Sequence, residues 1–307
     1  MSDYDHRSRG ARRPVAGGAS RLALALIIAA PLLLAAGPPQ APRAAADALG
    51  KAARALERSS PSARDGLVEL LDETVIAPMP GLDMPATRAS LAARLRQEEG
   101  EVTRIEHRPL RIGVSADGSH GFTLGHLSVH RADNSVRPAK YLAYWVKRPA
   151  GWRIVAFKRL LRNGAPVDAQ MLAPLIPDRS VSPSADPLVQ ARDAASLEAA
   201  ERAFAAEAQK IGLGPAFAKQ GRSDAVNMGR GEQFTVGAAN IGRDMGDAPT
   251  SPVDWGPDGV LVAPSGDLGL SWGRIRSNDP AQANLSIPFF TVWQRDDRDT
   301  PWRYVAE

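Results

Sequence analysis

The 307-residue chain has no cysteine. That excludes disulfides, thiolate zinc sites, iron–sulfur clusters and cysteine nucleophiles together. It also lacks an HExxH helix and shows no Ser-His-Asp ordering. Long apolar runs are absent except for one of 16 residues, Leu22–Gly37. With 44% hydrophobic and 23% charged residues, the composition is that of a globular protein, neither disordered nor collagen-like. Its length suits two domains better than one.

The formal charge is +4, with 38 basic against 34 acidic residues. Residues 1–46 hold six arginines (Arg7, Arg9, Arg12, Arg13, Arg21, Arg43) and two acids, so the remainder has 32 of each sign. The basicity therefore belongs to the N-terminal segment. Five of those arginines precede the apolar run, and Ala44-Ala45-Ala46 fits a small-x-small cleavage site. Positive flank, short apolar core and small-residue site predict a signal peptide over 1–46 and export to the periplasm or medium. The alternative is an uncleaved membrane anchor through 22–37, although 16 residues fall short of the roughly 20 that a spanning helix needs. After cleavage no stable membrane anchor is expected. Nucleic acid is not expected as a partner either, because the rest of the chain is neutral and no basic stretch interleaves with aromatics.

The remainder carries a long internal repeat. DGSHGFTLGHLS at 117–128 matches SGDLGLSWGRIR at 265–276, aligning Gly118, Gly121 and Gly125 with Gly266, Gly269 and Gly273. Trp145 and Trp293 each lie 20 residues beyond the last glycine, and each precedes a Trp-Arg step, Trp152-Arg153 and Trp302-Arg303. This is a tandem duplication. Residues 164–187, with prolines at 166, 174, 177, 183 and 187, read as a partly extended linker. The expected organisation is thus a first domain at 47–163, a linker at 164–187 and a second domain at 188–307.

In the second copy Leu197, Ala200, Phe204, Ala208 and Ile211 recur at steps of three and four, predicting an amphipathic helix. Asp186-Pro187 suits its start and Gly212 its end. A shorter helix around Pro215–Lys219 follows. The first copy predicts helices near 45–58, 61–71 and 86–97, then strands near 101–114, 121–131, 139–148 and 152–161. Helices followed by an antiparallel meander make each copy an α+β domain. The stretches SADGSHGFTLGHL…YLAYWVKRPAGWRIVAFKR and, more clearly, LEAAERAFAAEAQKIGLGPAFAKQGRSDAV…PSGDLGLSWGRI…FFTVWQRDDRDTPWRYVAE resemble the nuclear-transport-factor-2-like superfamily, in particular its SnoaL-like domains of unknown function. The resemblance implies two cone-shaped domains, each with helices on a curved antiparallel sheet that encloses a pocket. Relatives of that kind include ketosteroid-isomerase-like and cyclase-like enzymes, dehydratases and proteins that only bind, so fold leaves function open.

His120, His126 and His130 share one face of one strand. At about 3.3 Å per residue, His120 to His126 spans roughly 20 Å, too far for one metal ion, so no metal and no cofactor is expected. His126 aligns with Arg274, which makes both candidates for a cavity wall or for a solvent-facing strand position. Tyr141, Trp145, Trp272 and Trp293 could wall an apolar pocket or pack the sheet on its helices. Acid–base chemistry needs a buried carboxylate facing a donor. Glu201, Asp72, Glu73 and Asp224 offer acids and Tyr141 and Tyr304 donors, but the sets differ between copies. The expected function is binding of a small apolar or amphipathic ligand, or a protein partner. The alternative is an isomerase-, cyclase- or dehydratase-like enzyme in one pocket. A pseudo-dimer of the two copies is a third expectation.

Overall fold

In the first half, α1 (Pro42–Arg54), a 3-10 turn at Ala55–Glu57 and α2 (Ala63–Leu70) lead into β1 (Leu71–Ile76), β2 (Ala86–Thr87) and α3 (Arg88–Glu99). Four long strands follow: β3 (Val102–Val114), β4 (His120–Arg131), β5 (Val136–Arg148) and β6 (Gly151–Leu161). The second half repeats this order. It comprises α4 (Pro187–Ile211), α5 (Leu213–Gln220), β7 (Gly221–Asn227), β8 (Thr235–Val236), α6 (Ala238–Met245), β9 (Val253–Val262), β10 (Leu268–Ser277), β11 (Ser286–Gln294) and β12 (Arg303–Ala306). The chain is seen in a computed structural model, which describes residues 42–57, 63–167, 170–229 and 231–307.

Local chemistry sets the helix ends. Asp186 accepts a hydrogen bond from the Leu188 N–H at 2.9 Å, and Pro187 takes the first-turn position, where its missing N–H costs nothing. Gly212, at φ 88°, ends α4. Thr87 caps α3 in the same manner through the Ser90 N–H. The leader expected at 1–46 falls mostly outside the described residues. Its last five residues, however, lie in α1, and Ala45 and Ala46 are buried in the core of the first half. Among the described residues no helix is long and apolar enough to cross a membrane.

Both sheets have six strands in the same spatial order, β2-β1-β6-β5-β4-β3 and β8-β7-β12-β11-β10-β9. The α+β class and the duplication stand, with one correction. The sheets are mixed, because β1 runs parallel to β6 and β7 parallel to β12. Those strands escaped the sequence pattern because LDETVI and GRSDAVN show no two-residue alternation of apolar and polar positions. The shared strand glycines mark close backbone approach. A Cβ at Gly125 would meet the Arg108 carbonyl at 2.2 Å, and one at Gly273 the Gly256 carbonyl at 2.0 Å. Both lie beside a register shift in the neighbouring strand pair, where the sheet bends.

Alternation along each strand divides the side chains between two layers. One face packs on the helices: Tyr141, Ala143 and Trp145 meet Leu49 and Ala53 in the first half, and Phe289 and Trp293 meet Leu197 and Phe204 in the second. The opposite faces pack on each other. Phe122, Leu124, Leu142 and Tyr144 share one apolar cluster with Leu268, Leu270, Phe290 and Val292. Polar groups cross the same seam. The Asp117 carboxylate accepts from the Ser265 N–H at 3.1 Å, and Asp267 accepts from the Ala116 N–H at 3.0 Å, a reciprocal exchange between the two hairpin turns. The buried Lys140 ammonium donates to the carbonyls of Met228, Gly229, Gly231 and Gln233. Lys158 donates to the Phe290 carbonyl at 2.9 Å.

The linker is an ordered connection where it is described. Leu172 donates to the Leu110 carbonyl at 2.8 Å, Leu175 to Ile112 at 2.9 Å, and Val181 to Ala116 at 3.0 Å. It thereby covers the open edge of β3, which would otherwise present unpaired backbone groups. The Phe290 ring lies at the centre of the shared cluster and is fully buried. Phe290→Ala is expected to cost about 3–5 kcal/mol and to lower both halves together in one guanidinium transition. A transition that moves only for the second half would show that the halves fold independently.

Candidate functional site

The repeat register places the two cone interiors position by position. Trp145 and Trp293 occupy equivalent places, each donating its indole N–H to a hydroxyl: Thr123 at 3.0 Å and Ser271 at 2.9 Å. Around that shared pair the chemistry differs. In the second cone the fully buried Glu201 carboxylate, from α4, accepts from Trp255 at 2.7 Å, Ser271 at 2.5 Å and Trp293 at 3.2 Å. Burial raises its pKa, and the three hydrogen bonds oppose that rise. In the first cone the equivalent positions are Ala53 and His107, each 148 residues earlier. There the His107 imidazole meets the Tyr141 hydroxyl instead. Burial pushes this imidazole down to about 4, so it is neutral at physiological pH.

Glu201 is thus an acceptor committed to three donors. Tyr304, the other candidate in this cone, donates its hydroxyl to the Phe217 carbonyl at 2.9 Å. Of the sequence-derived candidates, the structure brings Tyr141 and Trp145 together in the first cone, and Glu201 and Trp293 in the second. His126, Trp272 and Arg274 are not with them. They sit one residue out of phase, on the sheet-to-sheet side, because His126 pairs across with Lys140 and Trp272 with Phe290. The placement of His126 and Arg274 in a cavity wall is therefore corrected. His126 is buried against the Phe234 ring at 5.1 Å, and burial plus nearby Arg162, Lys140 and Arg108 lower its pKa to about 4. Asp72 pairs with Arg148 at 2.8 Å, outside either cone.

Each cone has a cavity near its mouth, and the two are equivalent. The first, about 30 Å³, is lined by residues that include Ile105, Leu127 and Phe157. The second, about 140 Å³, is lined by Leu213, Phe217, Met245, Val253, Trp255, Ile275, Phe289 and Glu307. Val253 and Ile275 stand where the first copy has Ile105 and Leu127, each 148 residues earlier. Aligned on the Trp-Arg steps, Glu307 stands where the first copy has Phe157. Phe157 of the first copy is thus replaced by a carboxylate and Ile105 by the smaller valine, while His107 is replaced by the larger Trp255.

Glu307 was not a candidate on sequence, although its alignment with Phe157 was available from the Trp-Arg steps. Its Oε2 is buried and accepts no hydrogen bond. Burial pushes its carboxyl up, Lys158 across the sheet seam opposes this, and Glu201 adds to it. A wider recess of about 540 Å³ lies under the linker, and two of its arginines are already engaged. Arg222 donates to Gln294 at 2.9 Å, and Arg295 to Asp193 at 2.6 Å.

Comparison with known proteins gives fold relatives alone. No family model matches the chain, and no curated protein matches it. Solved structures of NTF2-like proteins do match, each over about the length of one half. An NTF2-like protein with a cystatin-like fold from Novosphingobium aromaticivorans is 22% identical over 39% of this chain and 84% of its own, with a TM-score of 0.28. A DUF4783 family protein from Bacteroides ovatus is 10% identical over 36% and 93%, with a TM-score of 0.27. An NTF-2 like protein of unknown function from Silicibacter pomeroyi is 14% identical over 38% and 94%, with a TM-score of 0.28.

The commitment of Glu201 to its donors has a measurable consequence. Glu201→Leu leaves the Trp255 indole N–H without an acceptor and is expected to cost about 2–4 kcal/mol. Glu201→Gln keeps a carbonyl acceptor and is expected to cost less than half as much in the same denaturation experiment. Equal losses would show that the carboxylate's hydrogen bonds do not stabilise the cone.

Proposed function

We propose that the protein binds a small apolar molecule, about the size of a single ring, in the cone of its second half. The carrying observation is the cavity of about 140 Å³ with an almost wholly apolar lining, opposite a first cone whose cavity is about 30 Å³. An apolar cavity of roughly 150 Å³ stays dry and admits benzene. One of about 30 Å³ has room for little more than a water molecule. The first half then serves as the structural counterpart of the second, supplying the sheet face on which the binding half rests. Acid–base catalysis is less well supported. Its donor would have to be Ser271 or Tyr304, and both hydroxyls are engaged, with Glu201 and the Phe217 carbonyl.

Saturating toluene is expected to raise the melting temperature by about 2–4 °C, from roughly 1 kcal/mol of ligand stabilisation. Val253→Phe, which refills the cavity, is expected to abolish that rise. If toluene leaves the wild-type melting temperature unmoved, the reading fails.

We infer further that the protein is exported and acts as one chain whose two halves replace a homodimer. The arginine-flanked apolar run at 22–37 supports export. Because Ala45 and Ala46 pack in the core, cleavage is better placed before Pro42 than after Ala46. Mass spectrometry and sedimentation of protein from the periplasm or medium are expected to find a monomer shortened by about 35–41 residues. Full-length chain in the membrane fraction would instead favour an anchor through residues 22–37.

A further inference from the structure

The second cone's cavity contains a feature that an apolar ligand alone leaves unexplained. Glu307 lines it, and the Glu307 Oε2 is buried without a hydrogen bond. An ionised carboxylate withdrawn from water without a partner is costly. The usual remedy, a lysine or arginine in the wall, is missing: the other seven lining residues are Leu213, Phe217, Met245, Val253, Trp255, Ile275 and Phe289. Lys158, the cation that acts on Glu307, lies beyond direct ion-pair distance and is held by the Phe290 carbonyl and ring. Glu201 adds a second negative charge behind Trp255.

The remaining walls favour a cation. Phe217, Trp255 and Phe289 bring three aromatic rings to one small space, and aromatic faces attract ammonium groups, the more so where water is excluded. Aromatic walls, a buried carboxylate oxygen without a hydrogen bond and no cation in the lining together specify a positively charged guest with an apolar body. An anion would meet two carboxylates. A neutral hydrocarbon would fill the space but leave Oε2 unpaired.

We propose that the cavity selects small apolar amines, with the protonated nitrogen donating to Glu307 Oε2 and the hydrocarbon part held by Phe217, Trp255 and Phe289. This rests on the reading of the second cone as a binding site and names its ligand class.

The test is calorimetric titration of the whole chain with four probes of similar size: benzylamine, benzyl alcohol, toluene and benzoate. Benzylamine is expected to bind at least tenfold more tightly than benzyl alcohol or toluene, and benzoate not to bind. Glu307→Gln is expected to remove the preference for benzylamine while leaving toluene binding in place. Val253→Phe, which leaves the carboxylate untouched, is expected to abolish binding of every probe. Quenching of Trp255 fluorescence on titration gives a second readout, lost in Trp255→Leu. Toluene and benzyl alcohol binding as tightly as benzylamine would overturn the amine assignment yet leave the binding reading intact. The same holds for a Glu307→Gln variant that keeps the preference. Failure of all four probes would overturn both.

Discussion

The structure depends on the burial of two sheet faces against each other. A single cone of this kind covers one face of its sheet with helices and leaves the other to water. Here that second face carries Phe122, Leu124, Leu142 and Tyr144 in one half and Leu268, Leu270, Phe290 and Val292 in the other. At roughly 25 cal/mol per Å² of apolar area, neither half could expose this layer without a large loss. Linking the copies in one chain makes the association intramolecular and independent of concentration. The polar crossings follow from that choice. Once the hairpins abut, their turn amides lose water, and Asp117 and Asp267 replace it reciprocally. Likewise, Lys140 satisfies carbonyls of the 228–233 loop that the seam has dehydrated.

The shared seam also explains how the two interiors diverged. Equivalent positions kept the Trp and its hydroxyl partner, Trp145 with Thr123 and Trp293 with Ser271. Around them the copies exchanged one buried set for another: Ala53, His107 and Tyr141 against Glu201, Trp255 and Phe289. A glutamate at position 53 alone would lack the Trp255-type donor, and a tryptophan at 107 alone would lack its acceptor. Such clusters change as sets, because a half-satisfied buried group costs more than an apolar one. Comparing the two copies one residue at a time therefore makes the acids and donors look unmatched, whereas Glu201 finds its donors and His107 its Tyr141 partner within their own cones.

Much of the fold was legible in the sequence. The Asp186-Pro187 cap, the Gly212 stop, the period of α4 and the glycine–tryptophan spacing located both copies and most of their elements. The parallel strands β1 and β7 were not legible, because polar residues at a sheet margin break the alternation that marks a strand. The site was only half legible. Side-chain parity along β4 and β10 decides which face His126, Trp272 and Arg274 occupy, and parity has no sign until one residue is known to face the helices. Tyr141 and Trp145 could have supplied that sign through their pairing with Gly125 and Gly121, but pairing registers are themselves structural facts. Glu307 escaped for a different reason. A carboxylate in an apolar wall has no motif, and only its alignment with Phe157 exposes it.

That alignment shows how a duplicated core can acquire a binding site without new architecture. In the first copy Phe157, Ile105 and Leu127 close the cone, and the Glu99–Arg159 ion pair sits at its mouth. In the second copy the substitutions at two of those positions, phenylalanine to Glu307 and isoleucine to Val253, exchange a ring for a carboxylate and remove one methylene. Cavities in single domains are expensive, by about 24 cal/mol per Å³ when cut into a packed core. For a space of about 140 Å³ that scale gives a penalty of about 3 kcal/mol. A lone small domain has little stability to spare. A half whose other sheet face is sealed against a filled copy can carry that loss, so the closed first cone and the seam between the sheets make the open second cone physically tolerable.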